Sequence, residues 1–266
     1  MVKLILCILI GVLLAVGYVK YLETTNIFFP VKGIEYSPDT INLNFEDVYI
    51  ETQDKLKING WFISNGEAKY TVLFLHGNAG NIGDRLDKIK LLYEAKANIF
   101  IIDFRGYGMS QGKPSEKGCY LDSQAAYQYL VNARKITPEN IILYGESLGG
   151  AAAVDLASRV KVRGLILEGV FTKISDMVKI TYPFIPSFLI SVKFDSLAKI
   201  KNVEAAKLFI HSRDDGIVPL ALAKKLYAET PGPKKFCEIT GDHNNAFLDS
   251  KDSYSSAIEE FIRELN

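Results

Sequence analysis

Apolar and polar positions along the chain fall into patterns that change twice. "VYIET" and "LKINGWFI" alternate on either side of the turn-like "QDK", which predicts an antiparallel hairpin at a sheet edge. Five later runs, "TVLFLH", "NIFIID", "NIILYGE", "GLILEG" and "AKLFIH", are short and continuously apolar, as strands covered on both faces must be. Helical periodicity fills the intervals at 83–95, 116–133 and 148–158, and returns at 221–228 and 253–265. Strand then helix, repeated, requires right-handed crossovers between parallel strands, so the pattern predicts an α/β fold with a doubly wound, mostly parallel sheet. Ligands of such sheets sit beyond the carboxyl ends of the strands, and the residues that follow each run are therefore where chemistry is expected.

The first residues follow another rule. "KLILCILIGVLLAVGYVK" places sixteen uncharged, mostly apolar residues between Lys3 and Lys20. As a helix they span about 24 Å, short of a hydrocarbon core of roughly 30 Å. If Lys20 snorkels, residues 2–22 become long enough to cross, with Tyr18 and Tyr21 at one interface. The expectation is a single-pass membrane anchor over 1–22. A cleaved signal sequence, with Ala15-Val16-Gly17 as its small-x-small site and a secreted or periplasmic product, is the rival, and a buried N-terminal helix the third reading. Pro30, Gly33 and Pro38 break any periodicity over 23–44, which reads as a connecting segment, and the folded domain is expected at 45–266.

Composition narrows the classes. Lys plus Arg number 31 and Asp plus Glu 31, a formal net charge of zero with no basic stripe, which argues against nucleic acid as a partner. Three cysteines, Cys7, Cys119 and Cys237, are far apart and suggest neither a disulfide framework nor a zinc spacing, and no metal-ligand cluster is visible.

One junction carries the chemistry. In "ILYGESLGGAAAVDLA", Ser147 stands between a strand and a helix, with Gly145 and Gly149 two positions away on either side. A nucleophile on so sharp a turn is strained, and its second neighbours must be small for the turn to close. The same turn aims the helix N-terminus, and the amide of Leu148, at negative charge developing on a substrate. A serine hydroxyl needs a base, and the base an orienting carboxylate. Of the three histidines, His76 and His211 end strands, whereas His243 lies in the "GDHNNAF" loop, from which an imidazole reaches across to the serine. The acid must lie between Ser147 and His243 in the chain. "HSRDDGIVP" offers Asp214 and Asp215, which the residues alone leave open. "HGNAGN" after the first buried strand is glycine-rich enough to turn amides inward, and Asn78 is its candidate second oxyanion donor, through its backbone N–H.

In order along the chain, "NIFFP", "FLHGNAGN", "DFRGYGMSQGKPSEKG", "YGESLGG", "FTKISDM", "FDSLAKI", "HSRDDGIVP" and "GDHNN" resemble the α/β-hydrolase superfamily. The likeness is to its membrane-anchored serine hydrolases related to the yeast bud-emergence protein and animal protein depalmitoylases. The resemblance implies Ser147 as nucleophile, Asp215 as acid, His243 as base, and Asn78 and Leu148 as oxyanion-hole donors. It implies hydrolysis of an ester or thioester of lipid-like or small-molecule type with no cofactor. A serine peptidase of the same fold, or a non-enzymatic scaffold that retains it, are the alternatives. Asp103 and Arg105 in "DFRGYGMS" precede Ser147 and read as a buried carboxylate and guanidinium bracing a loop. "ITYPFIPSFLI", residues 180–190, stands where this superfamily inserts its cap. It either shapes an acyl pocket or only covers the sheet.

Overall fold

Period-two patterning sorts the sheet residues into two cores. In the computed structural model, which describes residues 1–265 apart from the side chains of Val2, Leu4, Ile8, Val12, Ala15 and Thr24, eight strands form one sheet. They are β1 (Glu46–Glu51), β2 (Lys57–Ile63), β3 (Thr71–Leu75), β4 (Asn98–Ile102), β5 (Ile141–Glu146), β6 (Gly164–Glu168), β7 (Ala206–Ser212) and β8 (Lys234–Ile239). Their spatial order is 1-2-4-3-5-6-7-8. β2 runs antiparallel to its neighbours, with Val48 opposite Gly60 and Trp61 opposite Ile101, and the other pairings are parallel. Leu73 and Leu75 join Phe100, Ile102 and Leu143 on one face, while Val72 and Phe74 join Ile99, Ile101 and Ile142 on the other. Each such side chain, fully withdrawn from water, contributes about 1.5–3 kcal/mol.

The longer helices are α1 (Val2–Asn26), α2 (Leu86–Glu94), α3 (Glu116–Gln128), α4 (Leu148–Ala157), α5 (Ile174–Thr181), α6 (Leu220–Ala228) and α7 (Lys251–Glu264). Every residue of α4 is buried, which explains its run of glycine and alanine. A Cβ on Gly150 would stand 2.4 Å from Val170 Cγ1, so larger residues would push the helix off the sheet. The predicted hairpin, buried strands and flanking helices are all present. The stretch predicted as helix over 116–133 ends its α-helical part at Gln128 and closes with a π turn, Tyr129–Ala133. The stretch over 83–95 starts as a 3-10 turn, Ile82–Arg85, held by the reciprocal bonds of Asn81 and Asp84.

Two elements lie outside the sequence pattern. β8 is an edge strand that is mostly half-buried, so "KKFCEI" lacks the continuous apolar character used to find the others. α5 is short, and its residues face a cavity rather than the sheet.

At the N-terminus, α1 extends to Asn26, and its stretch Ile5–Glu23 is long and apolar enough to cross a membrane. The chain then lies against the loop after β3. Phe29–Pro30 pairs in parallel with Ala79–Gly80, the Phe29 N–H donates to the Asn78 carbonyl at 2.8 Å, and the Asn81 side chain donates to Gly33 O at 2.7 Å.

Candidate active site

Three strand ends and one loop bring the candidate residues together. Ser147 follows β5 with φ +51° and ψ −115°, a conformation that costs a non-glycine residue about 1–3 kcal/mol. The cost is sustained by packing with no room for side chains. A Cβ on Gly149 would meet Leu75 O at 2.1 Å, and one on Gly145 would meet Gly150 Cα at 2.5 Å. The Ser147 N–H donates to Glu168 O at 2.7 Å, tying the turn to β6. Both glycines are thus demanded by close approach, as the motif predicts.

His243 Nε2 stands 3.2 Å from Ser147 Oγ, and His243 Nδ1 stands 2.6 Å from Asp215 Oδ2. The other Asp215 oxygen accepts from the N–H groups of Ile217 and Val218, at 2.9 and 2.7 Å. Burial pushes the Asp215 carboxyl up, but the His243 bond and these amides outweigh it and hold the group below its ordinary value. Of the two aspartates that the residues left open, Asp215 is the one that faces His243. Asp214 instead accepts from the Gly241 N–H at 3.3 Å and braces the histidine loop. That loop is closed by Asp242, whose Oδ1 accepts from the N–H groups of Asn244 and Asn245 at 2.8 and 3.0 Å.

Gly169, which the sequence reading did not single out, has φ +59°, and a Cβ there would stand 3.0 Å from His243 Cε1. Its only sequence signal is its place as the last residue of the run "GLILEG".

His76 and His211 are buried and turned to structural tasks. His76 Nδ1 lies 2.6 Å from Gly77 O and its Nε2 accepts from the Phe104 N–H at 3.3 Å, which makes it neutral. Burial lowers its pKa to about 3. His211 Nε2 donates to Val218 O at 2.8 Å, supporting the turn that carries Asp215. Asp103 and Arg105 also brace loops, but not as a pair. Arg105 binds Asp54 and Asp122, at 2.7 and 2.8 Å, while Asp103 accepts from the Ile82 N–H at 3.0 Å and is pushed up to about 7 by burial.

Asn78 and Leu148 both line the cavity above Ser147. The Asn78 carbonyl is occupied by the Phe29 N–H and the Tyr107 hydroxyl, and its side chain donates to Ile27 O at 3.1 Å. Leu148 is the first residue of α4, where amides lack intrahelical acceptors.

Beneath this loop lies a charged cluster that the sequence reading did not find. Glu146 accepts from Arg85 Nε and Lys88 Nζ, each at 2.8 Å, and from the Gly77 N–H at 3.2 Å. Lys88 also reaches Glu168 at 2.9 Å, and Arg85 donates to Ala79 O at 2.9 Å. Tyr144 and Tyr254 direct their hydroxyls at Glu168. Burial would raise the Glu146 carboxyl, yet Arg85 and Lys88 hold it well below the usual carboxylate range.

The cavity has a volume of about 560 Å³. Ser147 and His243 line it, and most of its other lining is apolar, with Phe171, Ile174, Met177, Tyr182, Ile185 and Ile190 from the chain after β6 and Val19, Leu22 and Ile27 from the N-terminal segment, beside the polar Glu23, Asn26 and Asn244. Segment 180–190 is therefore a wall of the cavity and more than a cover for the sheet. A larger depression of about 710 Å³, between Pro138 and Leu265, contains none of the candidate site residues.

Comparison with known proteins bears on the family and the fold. The profile of the family described as serine aminopeptidase, S33, matches residues 66–201. Protein bem46 of Schizosaccharomyces pombe is 33% identical over 273 residues, covering 95% of this chain and 89% of bem46. The membrane protein YNL320W of Saccharomyces cerevisiae is 34% identical over 237 residues, covering 86% of this chain and 83% of that protein. The esterase Pf2001 of Pyrococcus furiosus superposes with a TM-score of 0.75 at 21% identity, over 90% of this chain and all of the esterase, which speaks for the fold alone. The strained strand-to-helix turn at Ser147, the strand order and these relatives converge: the chain belongs to the α/β-hydrolase superfamily, within the serine aminopeptidase S33 family of hydrolases.

Proposed function

We propose that the chain is a membrane-anchored serine hydrolase that cleaves carboxylic esters or thioesters through an acyl-enzyme on Ser147. The observation that carries this reading is the relay from Asp215 through His243 to Ser147, at 2.6 and 3.2 Å, opening on an apolar cavity. Ser147 Oγ attacks the acyl carbonyl as His243 Nε2 takes its proton. Asp215 stabilises the imidazolium and fixes its tautomer. The oxyanion is met by the amides of Asn78 and Leu148, preorganised by the bonds that occupy the rest of Asn78. His243 then protonates the departing alkoxide or thiolate. Water, deprotonated by the same His243, attacks the acyl-enzyme and releases the acid with Ser147 restored.

The family description favours a second reading, aminopeptidase action. Such a substrate presents a cationic amine that needs a free carboxylate. Among the described residues lining the cavity, the acid is Glu23, and its oxygens already accept from Ser191 and Val192 and from Lys20. The apolar walls therefore support an acyl chain over an aminoacyl group. α1, with its apolar stretch Ile5–Glu23, supports anchoring.

The test is turnover of short p-nitrophenyl esters together with labelling by a fluorophosphonate. Ser147→Ala is expected to lose both, with turnover falling by about three orders of magnitude or more. Wild-type turnover in that variant ends the proposal, and a faster reaction with aminoacyl amides than with esters would favour the peptidase.

A further inference from the structure

Segment 180–190, "ITYPFIPSFLI", contains no charged residue, yet it divides its apolar side chains between two directions. Tyr182, Ile185 and Ile190 face the cavity. Ile180, Phe184 and Phe188 face outward and are 53%, 74% and 84% exposed. An aromatic ring that exposed costs the folded chain favourable burial, and several of them together on one short segment mark a surface that meets something apolar.

What meets it is indicated by α1. Glu23 is the last residue of the apolar stretch Ile5–Glu23, and its carboxylate accepts from the N–H groups of Ser191 and Val192 and from the Ser191 hydroxyl. The two residues that follow segment 180–190 are thus bonded to the point at which the apolar stretch ends. Tyr18 and Tyr21, both largely exposed, lie within the two turns of α1 that precede this point, at the level where aromatic rings gather at a membrane surface. Exposed Lys179 and Lys193 flank the segment, as the basic rim of a surface that touches anionic headgroups.

We propose that the cap segment is a second membrane contact, in which Ile180, Phe184 and Phe188 enter the headgroup boundary of the bilayer beside α1. The occupant is lipid, because the patch is continuous with an apolar helix of membrane-crossing length and is held to its end by Glu23. The cavity then lies one layer of side chains from the bilayer, since Tyr182 and Ile185 line it while their neighbour Phe184 faces out. The inference rests on reading α1 as a membrane anchor and is independent of the chemistry at Ser147.

The chain has one tryptophan, Trp61, buried in the sheet, so a second one reports its own surroundings. The full chain carrying Phe188→Trp, and separately Phe184→Trp, is reconstituted into phosphatidylcholine–phosphatidylglycerol vesicles containing lipids brominated near the carbonyl end of the acyl chain. Both substitutions fall at exposed positions and leave the fold intact. Insertion to about 5–10 Å predicts that emission from the new tryptophan falls by roughly half, while the parent chain is little affected. A vesicle-bound protein whose new tryptophan is quenched no more than Trp61 overturns the cap contact alone. Concentration-dependent dimerisation without quenching overturns it in favour of a second copy of the chain. Failure of the chain to float with vesicles overturns both the cap contact and the anchor. Loss of esterase activity with quenching intact would fault only the catalytic reading.

Discussion

The floor and the roof of the cavity are held by opposite means. On the floor, Ser147 follows a strand end whose backbone packs so closely that Gly145 and Gly149 have no space for a side chain, and Gly169 leaves room for the imidazole of His243. Beneath them the charges of Arg85, Lys88, Glu146 and Glu168 are paired with one another. The roof has no comparable packing. Its return, Ser191 to Phe194, is fastened by two carboxylates that accept from backbone amides: Glu23 takes Ser191 and Val192, and Glu116 takes Lys193 and Phe194 at 2.7 and 2.8 Å. The remainder of the roof is apolar and in part exposed. A reacting centre must be held to within fractions of an ångström, which dense packing and paired charge provide. On the proposed reading, a surface that admits acyl chains of varied shape needs only a few fixed points, and rigidity is concentrated where bonds would break.

Substitutions on the two sides should separate these roles. The largest effect is expected at Asp215→Asn, which keeps the shape but presents the wrong hydrogen-bonding partner to His243, so that kcat falls by about 10⁴-fold. Short-ester kinetics check this, and an unchanged rate would remove Asp215 from the relay. Next comes Glu146→Gln, which leaves Arg85 without its carboxylate and Lys88 with Glu168 alone, and should cost about 3–5 kcal/mol in equilibrium unfolding. The folded pKa of Glu146 lies below its unfolded value, so this stabilisation is present at neutral pH and is lost as pH falls through the folded pKa. Parent and variant should therefore converge in strong acid, and a constant difference down to the lowest accessible pH would contradict the assignment. The smallest effect is expected on the roof. Glu23→Gln weakens the tie to Ser191 and Val192, and the loss of kcat/KM should be greater for long-chain than for acetyl esters, by about tenfold or less. Equal losses across chain lengths would place Glu23 outside acyl recognition.

Much of the floor was legible in the residues. Strands buried on both faces need continuous apolar runs, and a nucleophile on a tight turn needs glycine at fixed positions, so "TVLFLH" and "GESLGG" declared themselves locally. β8 and α5 did not. An edge strand and a cavity-lining helix are only partly covered, and their apolar periodicity is correspondingly weak. Glu146, Arg85, Lys88 and Glu168 looked like ordinary charged positions because a pairing between residues 58 to 80 positions apart leaves no local mark. Asp103 and Arg105 were read as loop supports, and both are, although the guanidinium chose Asp54 and Asp122 over its near neighbour.

By itself the sequence determined the layered fold, the strained elbow at Ser147 and the apolar N-terminal stretch, because backbone sterics and period-dependent burial act over a few residues. Only the tertiary structure brought Asp215 and not Asp214 to the imidazole of His243, put Gly169 against that ring, and made α1 and segment 180–190 two walls of one cavity. Those choices depend on where distant strand ends and loops meet, and the direction of a side chain across such a meeting is set by packing that no local pattern encodes.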